Sequence, residues 1–290
     1  MEKEKSTKIE RKLRIIAIFA HPDDAEVKMG GTAAKFAKMG HAVKFLSLTN
    51  GDAGHHEEGG GPLAKRRADE AKKAAEILGI DEYVIFDNHD AELMPNLHIR
   101  HDIIREIRKW NADIVIGLRP NDYHHDHRYA GTLVMDAAFL VVVPNVVSDT
   151  PALKKNPVFL YMEDGFKRPN PFTPDITVAV DDTFSTKIDG LDAHVSQFYE
   201  WLPRVMGIDE DVPKNPVKRK EWLVKWLDNW NSQMDHLSDN VKKSVVKWYG
   251  AENARRIDKV ESFEIAEYGY QPTDKEILEL FPMLNYPHVT

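Results

Sequence analysis

Short apolar runs, each followed at once by a polar cluster and then by a longer stretch of helical periodicity, recur through the first half of this chain. Residues 13–20 (LRIIAIFA) are β-branched and nearly all apolar, the pattern of a strand covered on both faces. Residues 23–39 then place Met29, Ala33, Phe36 and Ala37 at helical spacing, and Gly40 ends the run. Residues 42–48 (AVKFLSL), 83–86 and 113–118 (DIVIGL) read as further strands. Residues 63–78, 98–110 and 127–140 read as the intervening helices. This alternation predicts an α/β fold: a Rossmann-like three-layer sandwich with a mainly parallel sheet.

The second half is less regular. Prolines crowd residues 144–174 around one clear strand at 157–161, residues 175–180 alternate like another strand, and 183–199 read as a helix. From about residue 213 the pattern becomes amphipathic and helical, with Trp222, Trp226 and Trp230 spaced every four residues as a packing face. The expected organisation is an N-terminal tail (1–12), an α/β domain (13–205) and a helical C-terminal extension (206–290) packed on it.

In an open parallel sheet, ligands bind beyond the carboxyl ends of the strands. The polar clusters at 21–24, 50–52, 87–90 and 119–127 each follow an expected strand, so all four should meet at one edge. Composition narrows the chemistry available there. The chain has no cysteine, which removes thiolate metal sites, disulfides and thiol nucleophiles, so any metal must be held by His, Asp or Glu. Lys plus Arg number 39 against 47 Asp plus Glu, a net charge of −8, which argues against a nucleic-acid or anionic-membrane binder. No segment is apolar enough for a membrane span or a signal peptide core, and a cytoplasmic location is the expectation.

The first cluster, His21-Pro22-Asp23-Asp24, sits where a strand hands over to a helix. Adjacent carboxylates point in different directions, so one can ligate a metal while the other faces a water bound there. A helix N-cap explains one of these aspartates but not the whole group. The second cluster, residues 119–127 (RPNDYHHDH), is dense in His for a chain with 13 of them. Taken alone it also reads as a solvated His-rich loop. A metal held by His21, Asp24 and His127 would have nitrogen and oxygen ligands and an open position, the catalytic rather than the structural pattern for zinc.

Together, His21-Pro22-Asp23-Asp24 and His124-His125-Asp126-His127 resemble the motifs of the PIG-L/LmbE de-N-acetylases. The resemblance spans roughly residues 13–200. It includes Arg67-Ala68-Asp69-Glu70-Ala71, similar to that family's Arg-x-x-Glu-Ala, and Asp90-Ala91-Glu92-Leu93, similar to its Asp-Gly-Glu-Leu. It implies that His21, Asp24 and His127 bind Zn2+, with Fe2+, Co2+ or Mn2+ as other ions such a donor set accepts. It further implies Asp23 as general base, His124 as the group steadying the oxyanion, Asp126 as the carboxylate orienting His124, and Arg67 and Asp90 as substrate contacts. The implied reaction is deacetylation of a small N-acyl amino sugar. Amide cleavage of a larger conjugate and a non-catalytic sugar- or nucleotide-binding role are the alternatives, and a homo-oligomer is left open.

The sequence departs from the family pattern at three places. Ala25 separates Asp24 from Glu26, His125 stands where Pro is usual and brings an extra imidazole to the site, and Asp122 occupies a place where some relatives have Tyr, with Tyr123 displaced by one. Outside the motifs, Asp52 is a candidate to line the site. The Gly- and His-rich loop 50–61 reads either as a mobile lid carrying His55 and His56 near substrate or as a flexible surface loop, and His194 either as a structural or supporting residue or as a substrate contact.

Overall fold

The computed structural model describes residues 11–228 and 238–284. Strands β1 (Arg14–Phe19), β2 (Ala42–Ser47), β3 (Glu82–Ile85), β4 (Ile114–Gly117) and β5 (Val158–Met162) run parallel. With β6 (Ile176–Ala179) and β7 (Val260–Gly269) they form one sheet of seven strands in the order β3-β2-β1-β4-β5-β7-β6. The central strands are apolar and buried, as their unbroken β-branched runs require: Ile15, Ile16, Ile18, Ile114, Val115 and Ile116 are all 0% exposed. Helices α1 (Asp24–Lys38), α2 (Gly60–Leu78) and α5 (Phe184–Ala193) pack on one another, and α3 (Leu97–Trp110) packs on α4 (His125–Leu140). The expected α/β sandwich is the observed one.

From β1 the chain winds outward through β2 to β3, then crosses back to lay β4 against the other flank of β1. The carboxyl ends of β1 and β4 therefore form the switch point of the sheet, where an open crevice is built into the topology.

The C-terminal part departs from the helical expectation. Besides α6 (Leu202–Met206), α7 (Pro216–Asp228), α8 (Asp239–Ala254) and α9 (Asp274–Leu280), it contains β7, which inserts into the central sheet antiparallel to both β5 and β6. The sequence VESFEIAEYG disguised this strand, because Glu261, Glu264 and Glu267 repeat at a helical interval. Glu261 is nonetheless buried. It accepts hydrogen bonds from the Gly31 and Thr32 amides and pairs with Lys187 Nζ at 2.7 Å, ties that offset its desolvation. The expected helix at 183–199 is also interrupted: α5 stops at Ala193, and Ser196–Trp201 forms a π-helical turn. Trp222 and Trp226 stack at 5.3 Å and pack with Phe198 and Leu191, a packing face as anticipated; Trp230 lies outside the described residues.

No helix among the described residues is long and apolar enough to cross a membrane.

Candidate metal centre

His21, Asp23 and Asp24 leave the end of β1, while His124 and His127 lie at the start of α4, just beyond β4. The crevice between those strands brings the two groups into contact. His21 Nδ1 lies 3.2 Å from His127 Nε2 and 3.5 Å from Asp24 Oδ2, and His127 Nε2 lies 3.4 Å from Asp24 Oδ1. Donors around a tetrahedral zinc, at bond lengths of about 2.0–2.1 Å, stand roughly 3.3 Å apart. The three side chains are thus spaced as ligands of one ion.

The opposite ring nitrogens carry the complementary feature. His21 Nε2 faces Asp90 Oδ1 at 3.1 Å and Asp126 Oδ2 at 3.2 Å, and His127 Nδ1 faces Asp122 Oδ2 at 3.2 Å. A proton on each of these nitrogens satisfies the carboxylate behind it and turns the free lone pair toward the crevice, the arrangement that fixes metal-binding imidazoles. Two further donor groups cluster here, His21 with His124 and His127, and His21 with Asp90, His124 and Asp126. Both Asp126 oxygens accept backbone amides, of Ala91 and Leu93, and Asp90 faces Arg67, whereas Asp24 gives only Oδ2 to the His21 amide and leaves Oδ1 toward His127.

The local field points the same way. Burial alone would lower both imidazoles. Hydrogen bonds to Asp126, Asp24 and Asp90 instead hold His21 well above the usual histidine range. The charge of Asp24, with hydrogen bonds to Asp122 and Asp24, lifts His127 to about 9. Burial likewise works against ionised Asp24, yet His127 and His21 keep its carboxyl well below the usual carboxylate range. The crevice is an anionic pocket that calls for positive charge.

Asp23 does not cap α1: its side chain makes no cap hydrogen bond, and its backbone sits at φ 144°, ψ −26°. A non-glycine residue there stores of order 1–3 kcal/mol and needs the surroundings to hold it. Arg67 supplies that hold. It is only 2% exposed, donates to Pro22 O at 3.0 Å and Gly51 O at 3.2 Å, and lies 3.3 Å from Asp23 Oδ2 and 3.5 Å from Asp90 Oδ2. The guanidinium thus reaches two acids of the site rather than open solvent. Burial pushes the Asp23 carboxyl up to about 6, against the pull of Arg67. A carboxylate in that range can both take and return a proton near neutrality.

His124 caps α4 through Nδ1, which accepts the Asp126 amide. Its Nε2 is therefore the protonated nitrogen of the neutral ring. Burial, then the charges of His21 and His127, keep its pKa below the usual histidine value. Asp126 touches His124 through this backbone bond, while its carboxylate lies 3.2 Å from His21 Nε2 and 2.9 Å from His125 Nε2 and acts on the His124 ring through its charge. His125 stacks on His124 at 5.0 Å and lies 2.7 Å from Ala91 O. Asp52 accepts the Asp90 amide at 3.0 Å and holds the loop that carries Asp90 in place.

The loop 50–61 is tethered rather than free. His55 Nε2 meets Glu200 Oε2 at 3.0 Å, and its Nδ1 accepts the amides of Glu57 and Glu58. Gly51, at φ +70°, lets the backbone close over Arg67, where a Cβ would stand 2.5 Å from the guanidinium. His194 is fully buried against Glu26 Oε1 at 2.9 Å, the supporting placement of the two readings its sequence left open.

Residues 16–138 match the family described as PIG-L: GlcNAc-PI de-N-acetylase. A diacetylchitobiose deacetylase from Thermococcus kodakarensis is 33% identical over 211 residues, 67% of this chain and 76% of that one. The chain belongs to the PIG-L family. Among solved structures, the N,N'-diacetylchitobiose deacetylase from Pyrococcus horikoshii, complexed with its inhibitor MPG, aligns with a TM-score of 0.64 at 21% identity, over 87% of this chain and 83% of that one. The 4-carboxy-2-hydroxymuconate hydratase GalB from Pseudomonas putida KT2440 aligns at 0.63 with 18% identity, over 91% and 99%. A PIG-L fold is thus shared by a deacetylase and a hydratase, so chemistry has to be argued from the site.

Within this PIG-L site, sequence reasoning missed the part played by Asp122. Its signal was present, a carboxylate five residues before His127, but only the fold turns it onto that ring.

Proposed function

We propose that this chain is a zinc-dependent N-deacetylase acting on an N-acetylglucosamine-containing saccharide. The observation that carries the reading is the mutual approach of His21 Nδ1, His127 Nε2 and Asp24 within 3.2–3.5 Å, with a carboxylate behind each ring. His21, Asp24 and His127 would hold the ion. Bound zinc polarises a carbonyl and lowers the pKa of water toward neutrality. The relatives with deacetylase names supply the substrate class: diacetylchitobiose for the curated relative, and an N-acetylglucosaminyl lipid for the family description.

In this reading Asp23 takes a proton from the attacking water as its oxygen joins the acetyl carbonyl carbon. His124 Nε2–H donates to the oxygen on which charge develops. Asp23 then returns its proton to the departing nitrogen as the C–N bond breaks, leaving acetate and a free amine. Arg67 keeps Asp23 aimed throughout, and Asp90 and Asp126 keep His21 oriented. Two imidazoles and a carboxylate also accept Fe2+, Co2+ or Mn2+.

Elemental analysis of the purified protein, with acetate release from N-acetylglucosamine and N,N'-diacetylchitobiose, tests the reading. Asp23→Asn should keep its metal and lose acetate release by about 10²–10⁴-fold. A metal-free protein whose Asp23→Asn variant matches the unmodified chain would overturn it.

A further inference from the structure

Tyr123 is the most exposed large hydrophobic residue described, at 77%, yet it stands beside the buried centre. Its ring centroid lies 5.8 Å from that of His124 and 6.1 Å from that of His127. A third ring, Phe166, lies 6.4 Å away at an interplanar angle of 41°, so the two aromatics form an open corner at the mouth of the crevice. Neither Tyr123 nor Phe166 belongs to the donor groups described above.

Both rings ride on stiff backbone. Arg128 donates to the carbonyls of Asp122 and Tyr123, and Asp122 Oδ1 accepts the His124 amide. Phe166 is held from the other loop. Its amide donates to Asp164 Oδ1, and its carbonyl accepts from Arg119, which pairs with both oxygens of Asp164 at 2.6 Å. Arg119 and Asp164 are nearly buried, with side chains 7% and 10% exposed, so the ion pair is a fixed strut between the segments after β4 and β5. A large apolar ring left in water on a pinned loop is a preorganised surface, since little conformational freedom remains to be lost on binding.

Aromatic faces beside a polar centre suit the C–H face of a pyranose ring, which offers apolar hydrogens while its hydroxyls stay solvated. We propose that Tyr123 and Phe166 form a saccharide subsite that stacks the sugar ring adjoining the one that carries the reacting acetamide. The ring separations of 5.8–6.1 Å set the corner about one pyranose width from the imidazoles. The chain would therefore favour a disaccharide or longer oligomer over a free N-acetyl hexosamine. This inference rests on the N-deacetylase reading.

The experiment compares acetate release from N,N'-diacetylchitobiose and N-acetylglucosamine for the unmodified chain, Tyr123→Ala, Tyr123→Phe and Phe166→Leu. Calorimetric titration of EDTA-treated protein with each sugar runs alongside. Tyr123→Ala should lower the disaccharide-to-monosaccharide ratio of kcat/KM about tenfold, carried mainly by KM. Tyr123→Phe should keep that ratio within about twofold, because the stacking face remains. Phe166→Leu gives a second test of the corner if Tyr123→Ala folds poorly. A ratio unmoved in both truncations, with the unmodified chain active on both sugars, overturns the subsite and leaves the deacetylase reading intact. If the unmodified chain neither hydrolyses nor binds either sugar, the parent reading falls and the subsite with it. Selective disaccharide binding that Tyr123→Ala abolishes, without turnover, supports the subsite while removing the hydrolase.

Discussion

Replacing Asp122 by Asn probes whether the imidazole of His127 is held for an ion. Asp122 Oδ2 faces His127 Nδ1 at 3.2 Å while Oδ1 accepts the His124 amide at 2.9 Å. Asn retains an acceptor oxygen but removes the charge, so the loop survives and the charge-assisted bond does not. With the single Asn oxygen kept on the His124 amide, the side-chain NH2 faces His127 Nδ1–H donor to donor, so the whole charge-assisted bond, about 1.5–3 kcal/mol, is lost. Solvent screening discounts this little, because the two side chains are only 14% and 11% exposed. Converted at about 1.4 kcal/mol per decade, zinc should bind roughly ten- to hundredfold more weakly. Competition against a chelating dye at fixed pH reads this directly, and saturating zinc should restore acetate release in the variant. Asp122→Ala should lose more, since the His124 amide also loses its acceptor. Zinc affinity unchanged within about twofold in a folded Asp122→Asn protein would refute the argument that this carboxylate holds the ring for a metal.

Two further outcomes follow from the scaffold around the site. In Gly131→Ala a Cβ would stand 2.5 Å from Leu118 O and 2.9 Å from the Arg119 carbonyl carbon, backbone that cannot yield as a flexible side chain would. The variant should unfold about 1–3 kcal/mol more easily in urea, and stability equal to the unmodified chain would contradict this packing of α4 on the β4 end. The His194–Glu26 pair sets a pH dependence. Burial works against the charged imidazole, but Glu26 raises His194 above its ordinary value. Its contribution is therefore fully present below about pH 6.5 and is lost as pH rises through the folded-state pKa. Urea unfolding between neutral and mildly alkaline pH should show this decline in the unmodified chain and a flatter profile in His194→Gln; parallel profiles would exclude the pair as its source.

β1 and β4 were legible because each is short, β-branched and buried, so a nearly unbroken apolar run is the pattern burial permits; the edge strand β3, with Glu82 exposed and its other residues half-buried, was legible from its short Tyr-Val-Ile run. β7 was hidden for the converse reason. Its position in the sheet depends on Glu261 finding the Gly31 and Thr32 amides and Lys187, partners more than 70 residues distant in sequence. A buried carboxylate looks like a solvated one until its partners are located. The break after Ala193 is similar, since Glu26 and Glu70 draw His194 and Ser196 out of a regular helix through bonds no local period encodes.

The same distinction divides the site. The meeting of His21, Asp24 and His127 was legible because two dense clusters each follow a strand, and the switch point must bring the ends of those strands together. What lies behind the donors was not, because side-chain direction is set by the fold. Asp126 stands two residues from His124 in sequence but aims its carboxylate at His21, 105 residues away, and Asp122 takes the remaining ring. Arg67 carries the point furthest. The family resemblance implied that it contacts substrate, and the close backbone at Gly51 and its own burial beside Asp23 and Asp90 turn its charge toward those two acids. Holding Asp23 at a strained φ of 144° requires such a fixed partner, and Arg67, 3.3 Å from its Oδ2, is that partner, whatever further contact the guanidinium makes.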